Sequence, residues 1–238
     1  MNKFCTFAYL TIAFTVSSVQ AQEVVTSHSV SIQHIKGCIT LNYPEKEPIT
    51  QQYSDSHQYS TIRRSGGLIG GVNYVSEQIT KSRSGKNYSK TQLQNAGYKN
   101  AGKSGKIETF TRNFLIKRRA SVQVCVKPSI DLSKLIITME ARHSPVSVSV
   151  KSDPGKPASQ MISAKTATAI DADNKKFKQQ FDAELKKTID QINKINLKMD
   201  PSELAQLWDK NGIGKTADFN FFNSSKHVEV RLRKVEKN

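Results

Sequence analysis

The chain has 238 residues, a formal net charge of +16 and a pI near 9.8. Charge of this size governs association rather than fold, and it points to a polyanionic partner: nucleic acid, anionic lipid or an acidic glycan. Beyond the first twenty residues no stretch is long or apolar enough to cross a bilayer as a helix.

The N-terminus reads as an export signal. Lys3 supplies a short basic region, Phe4 to Val16 is mostly apolar, and Val19-Gln20-Ala21 places short residues at the −3 and −1 positions of a cleavage site. Residues 1–21 are therefore expected to leave, and the mature chain to begin at Gln22. Lys3 is the one charge removed, so the mature net charge is +15. Cys5 leaves too. Cys38 and Cys125 remain, an even number for an oxidising compartment such as a periplasm or cell surface.

From Glu23 to Tyr43 the pattern is strand-like. His28, Val30, Ile32 and His34 share a face, and without a third ligand the two histidines do not read as a metal site. In Gly37 to Tyr43, Ile39, Leu41 and Tyr43 alternate with Cys38, Thr40 and Asn42. Ser121 to Val126 has the same form, with Val122, Val124 and Val126 on one face and Cys125 on the other. The two runs are predicted to lie side by side with the cysteines facing each other. A Cys38–Cys125 bond would close a long loop and stabilise by at most roughly 4–5 kcal/mol.

Pro44 to Pro48 breaks the first run, and Gln51 to Tyr59 reads as polar and turn-rich. Arg63 and Arg64 precede a glycine-rich stretch, Gly66 to Gly71, that reads as a hairpin. Lys81 to Lys106 holds seven basic residues and no acid in a Ser, Gly, Asn and Gln background, so it is expected to be a flexible insert between strands. Gly97 to Ser104 matches the P-loop pattern, which needs a buried strand before it and a helix after it. The flanks are polar on one side and glycine on the other, so nucleotide binding is not expected.

Ile107 to Lys127 returns to strand character. Leu135/Ile137/Met139 and Val146/Val148/Val150 give two more alternating runs. Ser152 to Gln160 reads as a linker. Phe177, Phe181, Leu185, Ile189, Ile192 and Ile195 then recur at helical spacing, with Asp171 or Asp173 as candidate N-cap and Asp182–Lys186 and Asp190–Lys194 as side-chain pairs. Asp200-Pro201-Ser202-Glu203 starts a second helix bearing Leu204, Leu207 and Trp208. Asn211-Gly212 stops it, and Val228, Val230 and Leu232 mark an end strand.

The class expected is α+β. It comprises an antiparallel β-rich part over 22–151 with a basic insert at 81–106, a linker at 152–160, and a helix–helix–strand part over 161–238. No serine-hydrolase elbow, Ser-x-x-Lys or zinc-protease histidine pair is present, so no catalytic residue, metal or cofactor is assigned. The candidate binding residues are cations and interleaved tyrosines: Arg63, Arg64, Lys81, Arg83, Lys86, Tyr88, Lys90, Tyr98, Lys99, Lys103, Lys106, Arg112, Lys117, Arg118 and Arg119. Lys81 to Arg119 carries eleven basic residues against Glu108 alone. The function expected is an exported, non-enzymatic binding or assembly protein of the cell envelope. Lysines would meet a polyanion while Tyr88 and Tyr98 stack on its rings, or the segment would order on an envelope protein. An exported hydrolase acting on nucleic acid or glycan is the alternative.

Overall fold

The computed structural model describes residues 22–25, 31–34, 37–64, 74–79, 86–153, 155–206 and 212–235. In chain order these form β1 (Gln22–Val25), β2 (Ser31–His34), β3 (Gly37–Tyr43), β4 (Ile49–Arg64), β5 (Tyr74–Ile79), α1 (Lys90–Asn95), β6 (Lys99–Ser104) and β7 (Ile107–Asp131). There follow β8 (Ile136–His143), β9 (Ser147–Ser152), α2 (Lys156–Met161), α3 (Ala164–Asn193), β10 (Asn196–Lys198), α4 (Pro201–Gln206), β11 (Ile213–Phe221) and β12 (Ser224–Val235). The protein is α+β with all strand pairs antiparallel, as the alternating runs predict.

The 25-residue β7 is the spine of the larger sheet. On one side it pairs with β4 and then β3; on the other with β6, β9 and β8 in turn. Its inward residues from Phe114 through Val126 are buried, as is Phe110, while Lys117, Gln123 and Lys127 point to solvent. The predicted register holds: Cys38 stands opposite Cys125, Ile39 opposite Val124, and Leu41 opposite Val122. The two cysteines are bonded, on the sheet's outer face.

The main core joins parts of the chain that the sequence separates. Leu41, Val122, Val124, Ile137 and Met139 of the large sheet meet Phe177, Phe181, Leu185 and Ile192 of α3, and these meet Phe219, Phe221, Val230 and Leu232 of β11 and β12. A second sheet, ordered β1-β2-β12-β11, pairs residues 31–34 with 232–235. The expected boundary at 152–160 therefore does not divide the sheets. That segment carries α2 and leads straight into α3.

Other expectations change for local reasons. Gln51 to Tyr59 is strand, because Tyr53, Asp55, His57 and Tyr59 face inward while Ser54, Ser56 and Gln58 face out. Period two is present there, but two of the inward residues are polar. The long helix begins earlier than Asp171: Ser163 is its N-cap and accepts from the Thr166 amide. Asp182 pairs with Lys178 rather than Lys186. Asp200 and Glu203 form the reciprocal cap expected of α4. β11 was not anticipated and doubles the terminal strand. It joins β12 through Phe222 and Asn223, both at positive φ (44° and 61°). Phe222 is an unusual residue for that conformation, and its ring is held against Tyr43 with centroids 3.7 Å apart. His28, Val30, the stretch Gly66 to Gly71, Leu207, Trp208 and Asn211 lie outside the described residues. No helix among the described residues is long and apolar enough to cross a membrane.

Candidate functional site

The basic segment is not a loose insert where it is described. Ser89 caps α1 through a reciprocal capping box with Gln92, and Gly97, at φ 87°, turns the chain into β6. Tyr88, Leu93 and Tyr98 pack with Tyr59 and Phe110 as a satellite core. The order helix, turn, strand is the reverse of what the P-loop pattern requires, so Gly97 to Ser104 lacks the geometry that cradles phosphates. Gly105, at φ 58°, takes the first position of a two-residue turn between Ser104 and Ile107, and β6 and β7 form a hairpin.

This packing sorts the candidate residues. Tyr98 is 2% exposed, and its hydroxyl donates to Asp55 Oδ2 at 2.6 Å. Burial and that hydrogen bond hold the Tyr98 hydroxyl far above its ordinary pKa. Tyr88 is buried as well, with its hydroxyl toward the Gln160 carbonyl. Neither ring is open for a base or sugar to stack on, so the expected stacking role is withdrawn. Lys90 bonds Glu108 at 2.7 Å and lies over the Tyr59 ring. Arg112 donates to the Ala96 carbonyl at 2.6 Å. Arg118 is 2% exposed. It donates to Asn174 at 2.6 Å, to Gln51 at 2.8 Å and to the Tyr53 hydroxyl. Arg119 reaches the Lys46 carbonyl. Arg118 is interior, and Lys90, Arg112 and Arg119 are part-exposed cations held by partners within the fold.

Exposed cations remain. Lys86 is exposed at the start of the segment. Lys99, Lys103 and Lys106 stand on the β6–β7 hairpin, and Lys117 stands on the outer face of β7, directly across from Lys151 of β9. None of Lys99, Lys103, Lys106, Lys117 and Lys151 forms an ion pair among the described residues, although Lys103 stands across the hairpin from Glu108, which Lys90 holds. Around them the outer face carries Thr50, Gln52, Ser54, Ser56 and Gln58 from β4. Lys81 and Arg83 lie outside the described residues, and Arg63 and Arg64 are placed only as backbone of β4.

A second cluster brings together residue types familiar from nucleophilic catalysis. Asp55, His57 and Ser163 are all within 4% of complete burial. The Ser163 hydroxyl bonds the Asp55 carboxylate directly, and the Ser163 amide donates to Asp55 Oδ2 at 3.1 Å. His57 Nε2 bonds the Met161 carbonyl at 2.5 Å and stands 3.6 Å from Asp55. Here the carboxylate, not the imidazole, holds the hydroxyl, and all three side chains are buried. The arrangement is a polar seam that fixes the α2–α3 junction onto β4. Arg118, Tyr53, Gln51 and Asp173 extend it along α3. The Tyr53 hydroxyl donates to Asp173 at 2.7 Å; that bond, then Gln51 and Arg118, hold the Asp173 carboxyl below its ordinary pKa. Sequence reasoning missed this seam because Asp55 and Ser163 are far apart. Tyr-x-Asp-x-His-x-Tyr alternating with serine and glutamine was its one visible signal.

A third feature is a groove of about 420 Å³ between α3 and the corner linking β8 to β9. Val146, Leu185 and Ile189 form its floor, and His143, Lys178, Asp182, Lys186 and Asp190 its rim. No group of three metal-ligating side chains occurs among the described residues.

Comparison of the chain with models of known protein families, with curated proteins and with solved structures gives no match in any of the three.

Proposed function

We propose that this chain is an exported, non-enzymatic binding protein of the cell envelope that holds an anionic polymer by charge, without reading its sequence. The observation that carries the reading is the set Lys99, Lys103, Lys106 and Lys117, exposed and outside any ion pair among the described residues, on the β6–β7 hairpin and the adjoining sheet face. Lysines placed this way neutralise phosphates or carboxylates and release counterions, which gives affinity without sequence preference. The buried tyrosines remove ring stacking from the mechanism, so electrostatics carries the binding. Export is supported by the signal-like N-terminus and by the Cys38–Cys125 bond, which suits an oxidising compartment. The buried, directly bonded Ser163–Asp55 pair weighs against hydrolytic chemistry at the seam.

Deleting 81–106 would remove Leu93 and Tyr98 from the satellite core, so the charge is best removed alone. The test is binding of mature protein to single-stranded DNA, long-chain polyphosphate and an acidic glycan across a salt series. Affinity is expected to fall steeply with salt and to differ little among base sequences. The triple variant Lys99→Gln, Lys103→Gln, Lys106→Gln is expected to reduce the log–log salt slope on single-stranded DNA by about 2. An unchanged slope, or no binding at low salt, would overturn the reading.

A further inference from the structure

Among the described residues, β9 is a singly paired strand of the large sheet whose inner side carries incompletely covered valines, and this feature does not depend on the polyanion reading. β9 pairs with β7 alone among the described residues. The Asp153 amide donates to the Leu115 carbonyl at 3.1 Å, which fixes the parity. Ser147, Ser149 and Lys151 direct their backbone groups to β7, so Val148, Val150 and Ser152 direct theirs to the free edge. The same valines face inward, beside α3, without being fully covered: Val150 is 40% exposed and Val148 is half-buried. The edge has no proline between 147 and 152 and no bulge in its pairing with β7, two common defences against strand addition. At the Val146 end it opens into the groove floored by Val146, Leu185 and Ile189.

We infer that β9 is a docking edge for an extended peptide segment of another protein, in which apolar residues alternate with acidic ones. The open amides and carbonyls demand a strand, since only extended backbone offers donors and acceptors at matching spacing. Period two then divides its side chains. Those on the inner side meet Val148 and Val150 and enter the groove, which takes an aliphatic residue. Those on the outer side lie beside Lys151 and Lys117, two adjacent cations without an acidic partner. An acidic residue is complementary there. A second copy of this chain is disfavoured, because it would bring another Lys151 and another mature net charge of +15 to the same edge.

The probe is a synthetic ten-residue peptide of alternating valine and glutamate, labelled for fluorescence anisotropy, against the mature protein. Binding is expected. Methylating the backbone amides on one edge of the peptide should abolish it, since the strand can no longer pair. Val148→Pro removes an outward amide and no bond to β7, and should weaken binding at least tenfold. Lys151→Glu should weaken the glutamate peptide about threefold or more and strengthen a valine–lysine peptide. The hairpin triple variant, which disables the polyanion site, should leave peptide binding unchanged, so the two ideas fail separately. Equal binding of the methylated peptide would overturn the inference. So would sedimentation showing self-association that Val148→Pro disperses, because the occupant would then be a second copy.

Discussion

The main core and the polar seam lie on the same face of the same sheet, under the same helix, yet they hold that helix by different means. Around Phe181, Leu185 and Ile192 the contacts are apolar and non-directional. Around Asp55, Ser163, Arg118 and Asp173 they are hydrogen bonds between named atoms, most of them hidden from water. An apolar contact tolerates a change of shape if volume is kept. A buried polar contact tolerates no loss of partner, because the group left behind pays its full desolvation cost. The difference teaches where α3 gets its affinity for the sheet and where it gets its position. The core supplies much of the burial, and the seam fixes which turn of the helix sits on which residue of β4.

The sharpest way to break this comparison is Asp55→Ala. It strands the Tyr98 hydroxyl and the Ser163 amide and hydroxyl, and is expected to cost about 3–5 kcal/mol in urea unfolding at neutral pH. Phe181→Leu in the main core keeps most of its volume and is expected to cost about 1–1.5 kcal/mol. If the leucine variant were the less stable of the two, the seam would not be the directional element described. Removing the disulfide with Cys38→Ser and Cys125→Ser comes next, at about 2–4 kcal/mol. Hydrogen exchange should then speed up at 37–43 and 120–126 while the amides of 51–59 keep their protection. Equal loss in both regions would show that the two halves of the sheet open together.

The smallest effect concerns acid. The Asp173 carboxyl titrates below the ordinary aspartate value of 3.8, chiefly because of the Tyr53 hydroxyl. A depressed folded-state pKa gives stability that is fully present above the unfolded value and is lost as pH falls through the folded one. Asp173→Asn should therefore cost about 1 kcal/mol at pH 7 and flatten the acid limb of the stability curve below pH ~4. An unaltered acid limb would place Asp173 outside the seam.

These contrasts also explain which features could be read in advance. The β3–β7 register, the disulfide and α3 were legible because apolar residues mark the buried face at period two or three to four, and Cys38 and Cys125 fall on matching faces. β4 was hidden because Asp55 and His57 occupy buried positions, so a polar composition masked a regular alternation. Within the basic insert expected at 81–106, the packing of the described residues 86–106 was hidden for a related reason. Tyr88, Leu93 and Tyr98 are too few to weigh in composition, yet placed by the Ser89 cap and Gly97 they close a small core with Tyr59 and Phe110. The exposed lysines were legible individually, but Arg118 belongs to the interior, and only partners distant in sequence reveal it.

The pairing of β2 with β12 sets residue 34 against residue 232. In kinetic terms this is contact order near its maximum for the chain, and loop closure over such a span comes late. The local hairpins β6–β7 and β7–β8 can nucleate first, and β3 and β4 then find β7. Until residues 224–235 arrive, β2 offers an uncompleted edge to any neighbour. Assembly of this protein therefore ends where the sheet closes, and a holding chaperone would have most to do in that interval.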